Sequence, residues 1–259
     1  MPATYPELKG KVALITGSSR GIGKEYALAL GAQGVNVVIN YHSSAETAAA
    51  VVDAVKQAGG DAIAVQGNVS NVSDIAALFE QAKKHFGKID IVISNAGVEH
   101  FSDLDKTTED DFDRTFGTNI RAQFFVAQQA YRHVTHNGGR VILTSSISKE
   151  MSIPRHSVYA SSKGAVEVMV RNMKADFGPL GVTINAVAPG GTMTDMAAQS
   201  ARDYIPGGKD KTDAEILALI KRMSPLGRPG YAKDISNAVL FLVSDEAGWI
   251  NGQTIQVSG

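Results

Sequence analysis

Cysteine is missing from this chain. Its absence removes disulfides, thiolate nucleophiles and thiolate-bound metal, and suits a reducing cytosol. No apolar run approaches the roughly 18 residues that a membrane helix needs. The opening stretch, Met1-Pro2-Ala3-Thr4-Tyr5-Pro6-Glu7, lacks the basic-then-apolar pattern of an export signal. A cytoplasmic protein is the expectation. Charge of one sign is not in excess either: 25 basic residues stand against 26 acidic ones. That balance gives no field to draw nucleic acid or an anionic membrane. No histidine–carboxylate cluster has ligand spacing, so no metal is expected. Repeats, low-complexity tracts and linkers are also lacking.

What remains is a chain of 259 residues, 44% of them hydrophobic, enough for a sizeable core. Short apolar runs without alternation suit strands buried on both faces. They fall at 12–15, 35–40, 62–66, 89–93, 140–143, 182–187 and 254–257. Helical patterns fill most of the gaps, at 45–58, 73–86, 158–177 and 232–243, with a longer one at 108–136 that breaks or bends near Gly117. Strand–helix alternation with right-handed crossovers predicts parallel order. The expected fold is α/β: one Rossmann-type domain over 1–259, a doubly wound parallel sheet of seven strands with helices on both faces.

The first strand runs into Thr16-Gly17-Ser18-Ser19-Arg20-Gly21-Ile22-Gly23, and a helical pattern follows. A strand, a glycine turn and a helix start make a phosphate cradle, because backbone approaches closely and free N–H groups point at the ligand. Three residues separate the first two glycines, not one. The second strand ends in Asn40-Tyr41-His42-Ser43-Ser44, with no acid to bind a ribose 2′-hydroxyl. Arg20 can meet a 2′-phosphate, which points to NADPH rather than NADH; the alternative is a surface arginine. Asn68, before Val69, can pair with an adenine edge or serve as a turn asparagine. Asn95-Ala96-Gly97 makes a small turn at the fourth strand's carboxyl end, on the binding edge of such a sheet. Asn119 is a poor helix-interior choice, so it has a specific polar role or is a satisfied core amide. Ser145 and Ser146 end the fifth strand.

Tyr159 and Lys163 stand four residues apart on one helix, hence on one face. An ammonium near a phenol favours the phenolate and is expected to pull its pKa down. Such a phenol exchanges a proton with a carbonyl or alcohol oxygen. From 195 to 229 the alternation stops, and a long insertion at the carboxyl edge is expected to act as a substrate-binding loop or lid. His156, Tyr204 and Met196 are the leading substrate-side candidates, with His100, Phe101 and Trp249 behind them.

Together these residues resemble the short-chain dehydrogenase/reductase family across essentially the whole chain. The match rests on Gly17, Gly21 and Gly23, then Asn95-Ala96-Gly97, Asn119, Ser146, Tyr159, Lys163, and Pro189-Gly190 with Thr194. Within the family, Arg155-His156-Ser157-Val158-Tyr159, Ala188-Pro189-Gly190-Gly191-Thr192, Tyr204-Ile205-Pro206 and Ser224-Pro225-Leu226 look similar to the fungal polyhydroxynaphthalene, anthrol and versicolorin reductases, and to related fungal hydroxysteroid dehydrogenases. The departure is Ala197, where a large pocket residue is expected in naphthol reductases.

The resemblance implies an NADP-dependent ketoreductase on aromatic polyketide-type ketones. It implies that NADPH lies against Gly17, Ser19, Arg20, Gly21, Ile22 and Gly23, then against Asn40, Tyr41, Ser43, Asn68 and Val69. Further along, it implies contacts at Asn95, Ala96, Gly97, Tyr159, Lys163, Pro189, Gly190, Thr192 and Thr194. Tyr159 is the implied proton donor, Ser146 fixes the carbonyl oxygen, Lys163 tunes the phenol and holds the nicotinamide ribose, and Asn119 holds a water beside Lys163. Homotetramers are common in the family. A non-redox isomerase, dehydratase or cyclisation catalyst, a steroid reductase, and a cofactor-binding regulator are the other readings.

Overall fold

Runs of valine, isoleucine and leucine that have no polar face must be covered on both sides, and the chain covers them with helices. The computed structural model describes residues 4–205 and 207–259. Residues 1–3, read above for an export signal, and Pro206, part of the family likeness, lie outside the described residues.

The first six strands are β1 Val12–Ile15, β2 Asn36–Tyr41, β3 Ala62–Gln66, β4 Ile91–Ser94, β5 Arg140–Thr144 and β6 Thr183–Pro189. Two short strands, β7 Thr192–Met193 and β8 Gly230–Tyr231, pair with each other, and β9 Thr254–Val257 comes last. The large sheet has seven strands in the order β3-β2-β1-β4-β5-β6-β9, all parallel. The order reverses between β1 and β4, which opens a crevice beyond their carboxyl ends.

The helices are α1 Gly21–Gly31, α2 Ala45–Ala58, α3 Val72–Phe86, α4 Glu109–Phe116, α5 Ala122–His133, α6 Ser157–Phe177, α7 Asp195–Tyr204, α8 Asp213–Met223 and α9 Ala232–Val243. Side chains alternate across each strand. Ala13 and Ile15 therefore join Tyr26, Leu30, Val55 and Val239 in one core layer. Leu14 joins Phe79, Val126, Val166 and Val170 in the other.

Two differences from the sequence reading have local causes. The expected bend near Gly117 is a turn of π-helix, Gly117–Arg121, between α4 and α5. It turns Asn119 fully inward, as such bulges do at functional sites. The 195–229 insertion, expected as loop, folds into α7 and α8. Each has its own start signal: the Thr194 hydroxyl accepts from the N–H of Ala197, and Thr212 forms a capping box with Glu215. The β7–β8 pair joins the two ends of this insertion.

Candidate active site

Glycine is required at the turn after β1 for reasons of space and of backbone. Gly17 and Gly21 have φ of 61° and 58°, in the left-handed region. At Gly23 a Cβ would lie 2.5 Å from both Asn95 Nδ2 and the Gly17 carbonyl oxygen. Two asparagines brace the turn. Asn40 Oδ1 accepts from the N–H of Gly17 at 3.0 Å, and its Nδ2 donates to the Gly67 carbonyl oxygen at 3.0 Å. Asn95 Nδ2 donates to the carbonyls of Thr16 and Gly17. Thr16 Oγ1 accepts from the N–H groups of Asn95 and Ala96. Asn40 is buried, and its amide braces the cradle from inside.

The first turn of α1 receives no capping side chain from Arg20. Its N–H groups thus point at the space that the glycines leave open, which fits a dinucleotide's phosphates. Ser19 and Ile22 are half-buried along this turn, and Arg20 is exposed at its rim. Tyr41 is half-buried and Ser43 exposed beyond β2. Asn68 Oδ1 accepts from the N–H of Ser70 at 3.0 Å, as a turn asparagine does, next to buried Val69.

The catalytic candidates converge at the carboxyl ends of β4 and β5. Ser146 lies close enough to the Tyr159 hydroxyl to lower its pKa. Ser146 Oγ also accepts from the N–H of Ser148 at 3.2 Å. Its neighbour Ser145 points the other way and donates to the Lys163 carbonyl oxygen at 2.9 Å. Lys163 is buried, with Nζ donating to the Thr144 carbonyl oxygen at 3.0 Å. A Cβ on Gly97 would sit 3.2 Å from Asn119 Oδ1 and 3.4 Å from Lys163 Nζ, which explains the glycine there.

One expectation is corrected here. Tyr159 is not acidified: burial drives its pKa up, the Glu99 carboxylate adds to this, and the nearby Ser146 only partly offsets it. Burial instead lowers Lys163 to about 8. The Asn119 side chain is anchored to its neighbours. Its Oδ1 accepts from the N–H of Val98 at 2.9 Å, and its Nδ2 donates to the Val98 carbonyl and to Ser162 Oγ. Its own carbonyl accepts from Gln123 Nε2 at 2.8 Å. Gln123 also exchanges two bonds with the backbone of Thr144. Sequence reading missed Gln123, since a glutamine in a helix carries no motif.

On the substrate side, the structure brings His156 and Tyr204 together and adds Glu99. The His156 ring lies 4.6 Å from that of Tyr159, centre to centre, with Phe101 stacked on it at 4.1 Å. The Tyr204 hydroxyl is bonded to Glu99 and lies 3.1 Å from His156 Nε2. Met196 is largely exposed on α7. Trp249 is 98% exposed, so it lines no pocket, and His100 is buried 3.8 Å from Asp111. Pro189 ends β6 and Gly190 follows it. Thr192 is buried, with its hydroxyl on the Gly190 carbonyl oxygen at 2.9 Å.

Comparison with known proteins agrees with this geometry. A family profile described as enoyl-(acyl carrier protein) reductase matches residues 17–259. The chain is 51% identical to a short chain dehydrogenase of Emericella nidulans, covering 97% of this chain and 95% of that one. It is 48% identical to a trihydroxynaphthalene reductase of Pestalotiopsis fici, covering 97% and 89%. The solved structure of an angucycline C-6 ketoreductase with bound NADP superposes with a TM-score of 0.87 at 33% identity, covering 100% and 97%. These matches, over nearly the whole chain, mean that it belongs to the short-chain dehydrogenase/reductase family of oxidoreductases.

Proposed function

We propose that this protein is an NADPH-dependent ketoreductase that converts a carbonyl of an aromatic polyketide-type substrate to an alcohol. The observation that carries the reading is the hydroxyl pair of Ser146 and Tyr159 beside the buried ammonium of Lys163. Relatives named for a trihydroxynaphthalene and for an angucycline support the substrate class.

The nicotinamide, when bound, supplies the hydride. Gly17, Gly21 and Gly23 leave room for its phosphates, and Arg20 serves the 2′-phosphate. Ser146 donates a hydrogen bond to the substrate oxygen and holds it still as negative charge builds there. Tyr159 gives its proton to that oxygen. Its raised pKa keeps the phenol protonated before the step, which suits reduction. Lys163 then steadies the phenolate left behind. Residues 195–229 form the roof over the substrate, with Tyr204 facing in. Thr192 and Thr194 border the carboxamide side of the cofactor. Exposed Phe112, Phe124, Tyr131 and Val168, on α4, α5 and α6, support assembly as a homotetramer.

The test follows NADPH oxidation with hydroxynaphthols in their keto forms, anthrahydroquinones and steroid ketones in turn. Turnover of the fused aromatic ketones above the steroids is expected. Turnover of none of them, or isomerisation without NADPH loss, overturns the reading.

A further inference from the structure

A phenol carries one proton, and Tyr204 faces two acceptors. Its hydroxyl meets a carboxylate oxygen of Glu99 and lies 3.1 Å from His156 Nε2. The other ring nitrogen, Nδ1, is 3.0 Å from the His100 carbonyl oxygen. A carbonyl only accepts, so Nδ1 carries the hydrogen, and Nε2 of a neutral ring carries a lone pair. Tyr204 can then donate to Glu99 or to His156, but not to both. The donation goes to Glu99.

The contact spans two distant parts of the site. Glu99 follows the glycine turn after β4, whereas Tyr204 is the last residue of α7 in the roof. Tyr204 stands edge-on to Phe101 at 4.9 Å, and Phe101 stacks on His156, whose ring adjoins Tyr159. A second tie runs beside it: Arg155 bonds Asp203 of α7 at 3.0 Å and reaches Asp103 at 3.5 Å.

We propose that Glu99 is a positioning residue for the reduction: by accepting the hydroxyl hydrogen of Tyr204 it clasps that residue, and with it the end of α7, against His156 and the pocket wall beside Tyr159. The role in reduction rests on the ketoreductase reading; the clasp itself does not.

Burial lowers His156 to about 4, which leaves the ring neutral, and the phenol hydrogen goes to the Glu99 carboxylate.

Hydrogen exchange of the α7 amides in the free protein tests the clasp without substrate. After correction for intrinsic exchange, Glu99→Ala and Tyr204→Phe are each expected to lower protection about two- to tenfold, one hydrogen bond's worth. Glu99→Gln keeps an acceptor oxygen and is expected to restore most of what Glu99→Ala loses. Wild-type protection in either truncated protein overturns the proposal. With a turned-over ketone, KM is expected to follow the same pattern while kcat does not. If no ketone turns over, the functional reading fails and the exchange result still decides the clasp.

Discussion

Lys163 and Tyr159 sit one helical turn apart, with Nζ 5.6 Å from the centre of the phenol ring, while the ammonium's hydrogen bond goes to the Thr144 carbonyl oxygen. The charge thus lies beneath the ring rather than at its oxygen. The phenol stays loaded with its proton, and the ammonium matters most once that proton has gone.

Removing the phenol oxygen isolates the proton donor. Tyr159→Phe is expected to lower kcat about 10²–10⁴-fold, with NADPH affinity kept. Steady-state rates and cofactor titration measure the two quantities separately. Near-normal turnover would remove Tyr159 from the mechanism.

The adjacent serines should behave differently. Ser146 meets Tyr159, whereas Ser145 is tied to α6. Ser146→Ala is expected to cost about 10²–10³ in kcat, as loss of an oxyanion donor does. Ser145→Ala is expected to cost about 1 kcal/mol of stability with kcat largely retained. Equal effects on kcat would contradict the assignment.

Stability should carry the signature of buried Lys163. Its folded pKa, about 8, lies below that of an unfolded lysine. Between about pH 8 and about pH 10 the unfolded state therefore binds more protons, and stability from this group rises with pH. It is lowest below that window, where the folded protein must hold the buried charge. Relative to Lys163→Met, wild type should gain on the order of 2 kcal/mol across the window by urea unfolding at each pH. A flat difference would show that the lysine is not desolvated.

The cradle tolerates no methyl group at Gly23, where a Cβ meets the Asn95 amide and the Gly17 backbone at 2.5 Å. Gly23→Ala is expected to destabilise by about 1–3 kcal/mol and to raise the KM for NADPH more than that for the ketone. Thermal unfolding and steady-state rates check both. Unchanged cofactor affinity would place the phosphates elsewhere.

Arg20 is the predicted discriminator between the two nicotinamide dinucleotides. Arg20→Ala should raise the Kd for NADPH about tenfold or more, the scale of a charge-assisted hydrogen bond, and leave NADH nearly unaffected. Calorimetry with both cofactors decides it. Equal losses would return Arg20 to the surface.

Much of the fold was legible because apolar runs bounded by glycine turns leave few alternatives. Helices 45–58 and 232–243 and strands 62–66 and 254–257 have the expected bounds. Ser146, Tyr159 and Lys163 were legible because the chemistry fixes their spacing on one strand end and one helix. Other relations had no such signal. Glu99 and Tyr204 are 105 residues apart in the chain, and Tyr204 is 48 from His156. No periodicity links them. Asn40 sits where a ribose-binding acid is sought, yet the register of β2 turns its amide inward. The sign of the Tyr159 shift was missed because spacing locates the lysine but does not report burial.

The parallel pairing of Thr192–Met193 with Gly230–Tyr231 fastens the roof segment at its base. Lengthening or rewriting what lies between those anchors adds little closure entropy, about 0.6 kcal/mol for each doubling of length. Substitutions there leave the partnership of β6 with β9 untouched. Substrate choice can therefore diverge in this region while the hydroxyl pair and the phosphate cradle keep their positions, and chimeras that exchange only the fastened segment should inherit the donor's ketone preference on an unaltered catalytic base.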